Sequence, residues 1–239
     1  MLTYTEELLG IAEQNACKSA NNVQMIEKQV EEFVLGPLER PDERLSVSNS
    51  DFRKLSISGS FLVYEGIAFD NVVFEDISCF DMMQISSLSL LSNVRFVGNK
   101  RGPGLLIRPL CDPTVDPAFE DIFRSHADKM RSNCMVDITD FYGRDLEIIG
   151  LPIENVRYDP TRHYSIDLSW NEIPWEEYGI EKGSFWRLGV ISLESFNATT
   201  AIYELPTRAS RKYAQTVEEL ALLKKFHPSI FSGIPSSKL

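Results

Sequence analysis

Ile67-Ala68-Phe69-Asp70-Asn71-Val72-Val73-Phe74-Glu75-Asp76-Ile77-Ser78-Cys79-Phe80-Asp81-Met82 sets short apolar-x-apolar pieces between two-residue steps that are mostly acidic. Read outward from there, every fifth position is apolar: Val47, Phe52, Ile57, Leu62, Ile67, Val72, Ile77 and Met82. A helix repeats every 3.6 residues and a flat strand every 2, so a period of five fits neither. It describes a chain that turns a corner every few residues.

The dipeptides Asp51-Phe52, Asn71-Val72, Asp76-Ile77 and Asp81-Met82 put Asp or Asn just before the central apolar residue. On these residues the tract 45–84 resembles the pentapeptide-repeat proteins, a resemblance that implies a right-handed, roughly square β-helix of two coils. The family's small residue two places before the centre is kept as Ser50 and replaced at Asp70, Glu75 and Phe80. The competing reading is an antiparallel sheet of short strands joined by acidic turns, which also suits the alternation of Val94 and Phe96 after Ser92-Asn93. It is preferred here, because two isolated coils would need capping by the rest of the chain.

Upstream, Leu9, Ala12, Ala16, Ser19, Val23, Ile26, Val30 and Phe33 alternate spacings of three and four. Such a seam predicts one helix over 5–35, or two broken near Asn21-Asn22, with Val23, Ile26, Val30 and Phe33 buried. Thr3 with Glu6 supplies a capping box, and Gly36-Pro37 a stop. Downstream, Lys100 to Gly104 reads as a loop. Asp116-Pro117 opens an internal helix with Phe119, Ile122, Phe123, Ala127 and Met130 on its apolar side. Strand-like alternation follows at 135–138, 146–149, 164–168, 185–193 and 198–205, and Thr216 with Glu219 caps a final helix that ends at His227-Pro228. The fold class expected is α+β, divided as 1–40 (N-terminal helix), 41–110 (β-rich), 111–205 (α+β) and 206–239 (C-terminal helix and tail).

The 239 residues carry a net charge of -11, which disfavours nucleic acid and anionic membranes as partners through repulsion. From Pro206 onward six basic residues face only Glu218 and Glu219, a local +4 that leaves -15 on the remainder. No stretch is long and apolar enough for a membrane helix, and MLTYTEELLG carries acid where a signal peptide carries base, so a cytoplasmic location is expected. Cys17, Cys79, Cys111 and Cys134 show no metal-ligand spacing and read as reduced thiols; no cofactor or metal is expected. Asn197-Ala198-Thr199 matches a glycosylation acceptor, read as coincidence.

Of the three histidines, His126 sits on the internal helix and His227 at a helix end. His163-Tyr164-Ser165-Ile166-Asp167 is the strongest chemical candidate, because strand alternation would put His163, Ser165 and Asp167 on one face. The alternative to a row able to activate water or hold a polar ligand is the solvent face of a strand. Trp170, Trp175, Tyr178, Phe185, Trp186 and Arg187 crowd the chain's three tryptophans into seventeen residues, as interface anchors do. Trp170, Trp175, Tyr178, Trp186 and Arg187 are therefore the partner-binding candidates, with at least one indole of Trp170 and Trp175 expected to protrude. The function expected is a non-catalytic acidic protein that binds another protein or a further copy of itself: an immunity or inhibitor protein, or a subunit of a larger assembly, viral or phage ones included. The alternative is a small hydrolase or sugar-binding enzyme using His163, Ser165 and Asp167.

Overall fold

Apolar residues two apart, broken every few positions by a polar pair, make strands too short to run on, so the chain winds from one sheet to the next. The computed structural model describes residues 9–14, 17–38, 43–98, 100, 102–110, 121, 125, 135–206 and 208–227. The first pass holds β1 (Ala12–Gln14), β2 (Cys17–Asn21), β3 (Gln24–Ile26), β4 (Gln29–Val30) and β5 (Phe33–Leu35). The second holds β6 (Arg44–Arg53), β7 (Ser56–Ile57) and β8 (Phe61–Val63), and the third β9 (Ile67–Glu75) and β10 (Met82–Ser86). β11 (Leu90–Val97) and β12 (Gly104–Arg108) form the fourth, then β13 (Val136–Asp137), β14 (Leu146–Ile149) and β15 (Val156–Arg157) close the series. Beyond it come β16 (His163–Asp167), α1 (Phe185–Ser195), β17 (Thr200–Glu204) and α2 (Tyr213–Phe226).

These strands build an eight-stranded sheet in the order β1-β2-β6-β9-β11-β13-β15, with β3 also beside β6. A seven-stranded sheet runs β16-β17-β14-β12-β10-β8-β5, and β4 pairs with β7 in a small third one. The successive passes stack in parallel, β2 on β6, β6 on β9, β9 on β11, and β5 on β8, β10, β12 and β14 in turn. Among the described residues antiparallel pairing appears only where β1 meets β2 and where β17 meets β14 and β16.

The corners explain the period of five. Asn22, Glu27, Asn49, Lys54, Asn71, Asp76, Asn93 and Gly98 all have left-handed backbone, with φ between +48° and +78°. In each pass the two bends are five residues apart, and each stacks on its counterpart in the neighbouring pass. Along β9 the bend leaves Asp70 and Asn71 both facing out, so Phe69 before it and Val72 after it both face in. Asparagine tolerates this conformation, and its amide links the passes: Asn49 Nδ2 donates to Asn21 Oδ1 at 3.0 Å, Asn71 Nδ2 to Asn49 Oδ1 at 2.9 Å, and Asn93 Nδ2 to Asn71 Oδ1 at 3.0 Å. At the second corner, Gly98 packs so closely on the Asp76 carboxylate that an added Cβ would clash with it.

Stacking in register makes columns of like side chains inside. Met25, Phe52, Phe74 and Phe96 form one column, in which the Phe52, Phe74 and Phe96 rings lie 5.1 and 5.3 Å apart and nearly parallel. Phe33 and Phe61 form a second stack at 4.7 Å that meets the first edge-on. Leu35, Val63, Ile85, Ile107 and Ile148 line the opposite sheet, all fully buried. Each aromatic contact adds about 0.5–1.5 kcal/mol beyond burial.

The fold is therefore mainly β and not α+β. Among the described residues the expected N-terminal helix is absent: those of 5–35 are strand and turn. Ala20, Met25 and Val30 are buried at the five-residue period, whereas Ile26, assigned to the seam, is 47 % exposed and Val23 only half-buried. The tract after Pro41 is parallel, not antiparallel. Its passes repeat every 22 residues, so like positions do not recur at a multiple of five. The stretch 185–193 is helix, not strand, because Trp186, Gly189, Val190 and Leu193 are its buried face and Ser184 Oγ accepts from Arg187 N at its start. Gly189 lets it lie close, since a Cβ there would meet Ile166 Cδ1 at 3.0 Å. The internal helix from Asp116 falls, apart from Asp121 and Ser125, outside the described residues, as do Cys111, His126, Cys134 and the tail after His227.

Asn71→Gly keeps the bend and removes two amide bonds, whereas Asn71→Ala also puts a Cβ on left-handed backbone, a further cost of about 1–2 kcal/mol. Urea unfolding should rank wild type above the glycine variant and that above the alanine variant. Equal loss in both variants would remove the bend from the account of stability.

Candidate functional site

The tryptophans fold inward. Trp170, Trp175 and Trp186 are all buried in a second core with Ile166, Val190, Leu193 and Leu223, under α1 and α2. Trp170 lies 5.7 Å from Trp186 and 6.4 Å from Trp175, and Trp186 Nε1 donates to Thr216 O at 2.9 Å. Neither Trp170 nor Trp175 protrudes, which corrects the expectation of an exposed anchor. The stretch 170–186, which contains Pro174, Gly179 and Gly183, tucks its indoles under the helices. Tyr178 is half-buried, stacked on Phe226 at 5.1 Å, and Arg187 pairs with Glu176 at 3.0 Å.

His163, Ser165 and Asp167 do not converge. His163 is buried at one end of β16, Ser165 is half-buried, and Asp167 is exposed at the other end, where its side chain accepts from Ser169 N at 2.8 Å. On the other face of the strand Ile166 is buried and Tyr164 half-buried, and Leu168 just beyond it is 42 % exposed. The residues gathered around His163 come from elsewhere. Arg162 pairs with Asp159 at 2.9 Å and Glu204 at 3.6 Å, donates to Phe141 O and Thr139 O at 2.7 and 2.8 Å, and covers the Tyr142 ring at 4.2 Å. Glu204 faces His163 across the β16/β17 register. Nothing in local sequence joins 162 or 163 to 204, so only the pairing reveals it.

Asp159 N donates to His163 Nδ1 at 3.3 Å, which leaves the ring hydrogen on Nε2, a buried atom without a hydrogen bond. Tyr158 OH and Glu204 Oε2 are likewise buried and without one. Burial, aided by the Arg162 charge, lowers the His163 pKa to about 4. Burial also raises the Glu204 carboxyl to about 7, against the pull of Arg162. Asp159 is held down to about 2: burial opposes this, but bonds from Thr161 and Arg162 outweigh it. This is a clamp between β16, β17 and the loop after β13, with one guanidinium at its centre.

A cleft of about 410 Å³ opens elsewhere, at the carboxyl ends of three adjacent parallel strands. Ser87 and Leu88 follow β10, Pro109 follows β12, and Gly150 and Pro152 follow β14. The loop from Phe196 to Thr200, between α1 and β17, forms the facing wall. Gly150 N donates to Thr200 O at 3.2 Å and Thr200 Oγ1 to Leu151 O at 2.9 Å, so the two walls are tied at the base. Ser87 is buried there, and its Oγ makes no hydrogen bond. Sequence reading noticed the Asn197 wall only as a glycosylation pattern. Ser87 and Gly150 carry no local signal, because only the stacking of passes 63 residues apart brings them together.

Among the described residues no group of His, Cys, Asp and Glu is placed to hold a metal ion, and no helix is long and apolar enough to cross a membrane. Cys17 is exposed, and Cys79 has its thiol pushed up to about 11 by burial.

The clamp should tie stability to pH in two opposed ways. The folded pKa of His163 lies below its usual 6.5, so its contribution is complete above that value and is lost as pH falls through about 4. For Glu204 the folded pKa lies above 4.5, so its contribution is complete below that value and is lost as pH rises through about 7. Thermal unfolding should show wild type losing stability between pH 5 and 8 relative to Glu204→Gln, and between pH 6.5 and 4 relative to His163→Gln. Parallel profiles would exclude both groups.

Comparison with family models, with curated proteins and with solved structures finds no match.

Proposed function

We propose that the chain is a non-catalytic acidic protein that acts by binding another protein, as an immunity or inhibitor protein or as a subunit of a larger assembly. The observation that carries this reading is the outer face of the eight-stranded sheet. Its columns run unbroken across the passes, Gln24, Asp51, Val73, Arg95, Asp137 and Arg157 in one, Ile26, Arg53, Glu75 and Val97 in the next. Stacked repeats present extended surfaces of this kind, and a repeat-like tract is compatible with the pentapeptide pattern of 45–84.

The charges on the face are matched by their neighbours. Arg53 pairs with Asp51 and Glu75, both at 3.3 Å, and Arg95 with Asp137 and Asp140 at 3.7 and 3.8 Å. Exposed pairs of this sort stabilise a fold by about 0–1 kcal/mol. A partner can therefore exchange them for its own contacts at little cost. The framework beneath is a packed core of stacked side chains, so binding need not order it first. A complementary partner surface would carry a mixed pattern of charge, and a net charge of -11 favours one that is basic overall.

Capture from the source cell, identification of the captured protein and reconstitution with that protein purified tests the reading. A complex of fixed stoichiometry is expected, with Arg53→Glu/Arg95→Glu weakening it at least tenfold while the melting temperature moves by only a few degrees. Failure to reconstitute with any captured protein would overturn the proposal, and a complex indifferent to the double variant would move the interface off this face.

A further inference from the structure

The protein-binding face lies on the eight-stranded sheet; the cleft belongs to the seven-stranded one and needs its own account. We infer that it is a binding site for a neutral sugar unit. Three features of the site select that chemistry. Its walls mix an aromatic ring and two prolines, Phe196, Pro109 and Pro152, with hydrogen-bonding groups, so a ligand must offer one apolar flank and several hydroxyls. A saturated sugar ring has both. The polar groups are a carboxylate, an amide and a hydroxyl from Glu154, Asn197 and Thr199, each on an exposed residue, which together accept and donate in several directions.

An anion is disfavoured. No lining residue is basic, and the nearest cation in sequence, Arg108, is engaged with Glu147 at 3.5 Å and with the Phe196 ring at 5.3 Å. A purely apolar ligand would make no bond to Glu154, Asn197 or Thr199, whereas hydroxyls can meet all three. The volume suits a mono- or disaccharide, within the ~300–1,000 Å³ of small-molecule sites. Ser87 at the base adds a second, independent mark: a buried hydroxyl without a hydrogen bond, on a residue that lines the cleft. Buried hydroxyls are normally satisfied, and a ligand or the water it brings supplies the missing partner.

The test is saturation-transfer NMR and calorimetric titration of the full chain with glucose, galactose, mannose, N-acetylglucosamine, maltose and cellobiose. At least one should bind. Asn197→Gly, which keeps the left-handed backbone at φ +49°, should weaken that sugar at least fivefold, and Thr199→Trp, which fills the cleft from an exposed position, should abolish binding. Melting temperatures should stay within a few degrees of wild type. No binding by any of the six sugars overturns the inference, and so does binding that both variants leave unchanged. Arg53→Glu/Arg95→Glu should bind the same sugar normally, so failure of the cleft and failure of the protein-binding face are separable.

Discussion

Left-handed backbone at paired corners is the constraint on which the rest of the structure depends. Each bend redirects the strand without moving its inward residues off the core, as at Asp70-Asn71, where two outward residues in succession let Phe69 and Val72 both point in. Because the bends of successive passes stack, the side chains between them stack too, and columns such as Phe52, Phe74 and Phe96 follow. A residue that refused the bend would misplace a whole column. The first corner meets this with asparagine. The second tolerates Glu27, Lys54, Asp76 and Gly98, and Lys54 there pairs with Glu27 at 2.9 Å.

A stack of parallel passes exposes an unpaired edge at each end, which invites association with other chains unless it is covered. At one edge of the eight-stranded sheet β1 folds back antiparallel on β2. At the far edge of the seven-stranded sheet, β17 and β16 add in antiparallel fashion to β14, and the tryptophan core under α1 and α2 buries their other surface. The tryptophans are concentrated in one stretch because one small lobe must build its own core. Arg162 then ties that lobe to the passes by holding the carbonyls of Thr139 and Phe141.

Sequence gives up the shape of the middle of this chain and withholds its pairing. The period of five holds at Val47, Phe52, Ile57, Ile67, Val72 and Ile77, which are buried, and fails at Leu62 and Met82, which are only half-buried; its spacing is the distance between bends. Which strand lies beside which is set by the length of the pass, 27 residues and then 22, and no local pattern records that number. The N-terminal pass misled for a physical reason. Its period of five changes to a period of two at Phe33 and Leu35, and the mixture imitates a helical seam. The stretch 185–193 misled in reverse, since the β-branched Val190 and Ile191 favour a strand and Gly189 lowers helix propensity until its close packing on Ile166 is known. The end of the C-terminal helix was legible and its start was not: Tyr213–Phe226 begins three residues before Thr216, whose hydroxyl donates to Lys212 O inside the helix instead of capping it, so the Thr216/Glu219 capping box fails. Neither the clamp nor the cleft was legible, since His163 with Glu204, and Ser87 with Gly150, meet only through strand pairing.

The way the passes are closed also separates two surfaces that could otherwise interfere. Strand ends accumulate on one side of the stack, where the turns after β10, β12 and β14 leave a concave row and the α1–β17 loop walls it off. The broad outer face belongs to the other sheet, where charges are shared between neighbouring passes. A cleft needs an interruption, and a flat face needs continuity. Parallel stacking provides continuity across the strands and interruption at their ends, so each kind of surface arises on the part of the scaffold whose geometry favours it. Changes in the α1–β17 loop can then alter the cleft while the phenylalanine columns and the corner asparagines keep the face unchanged.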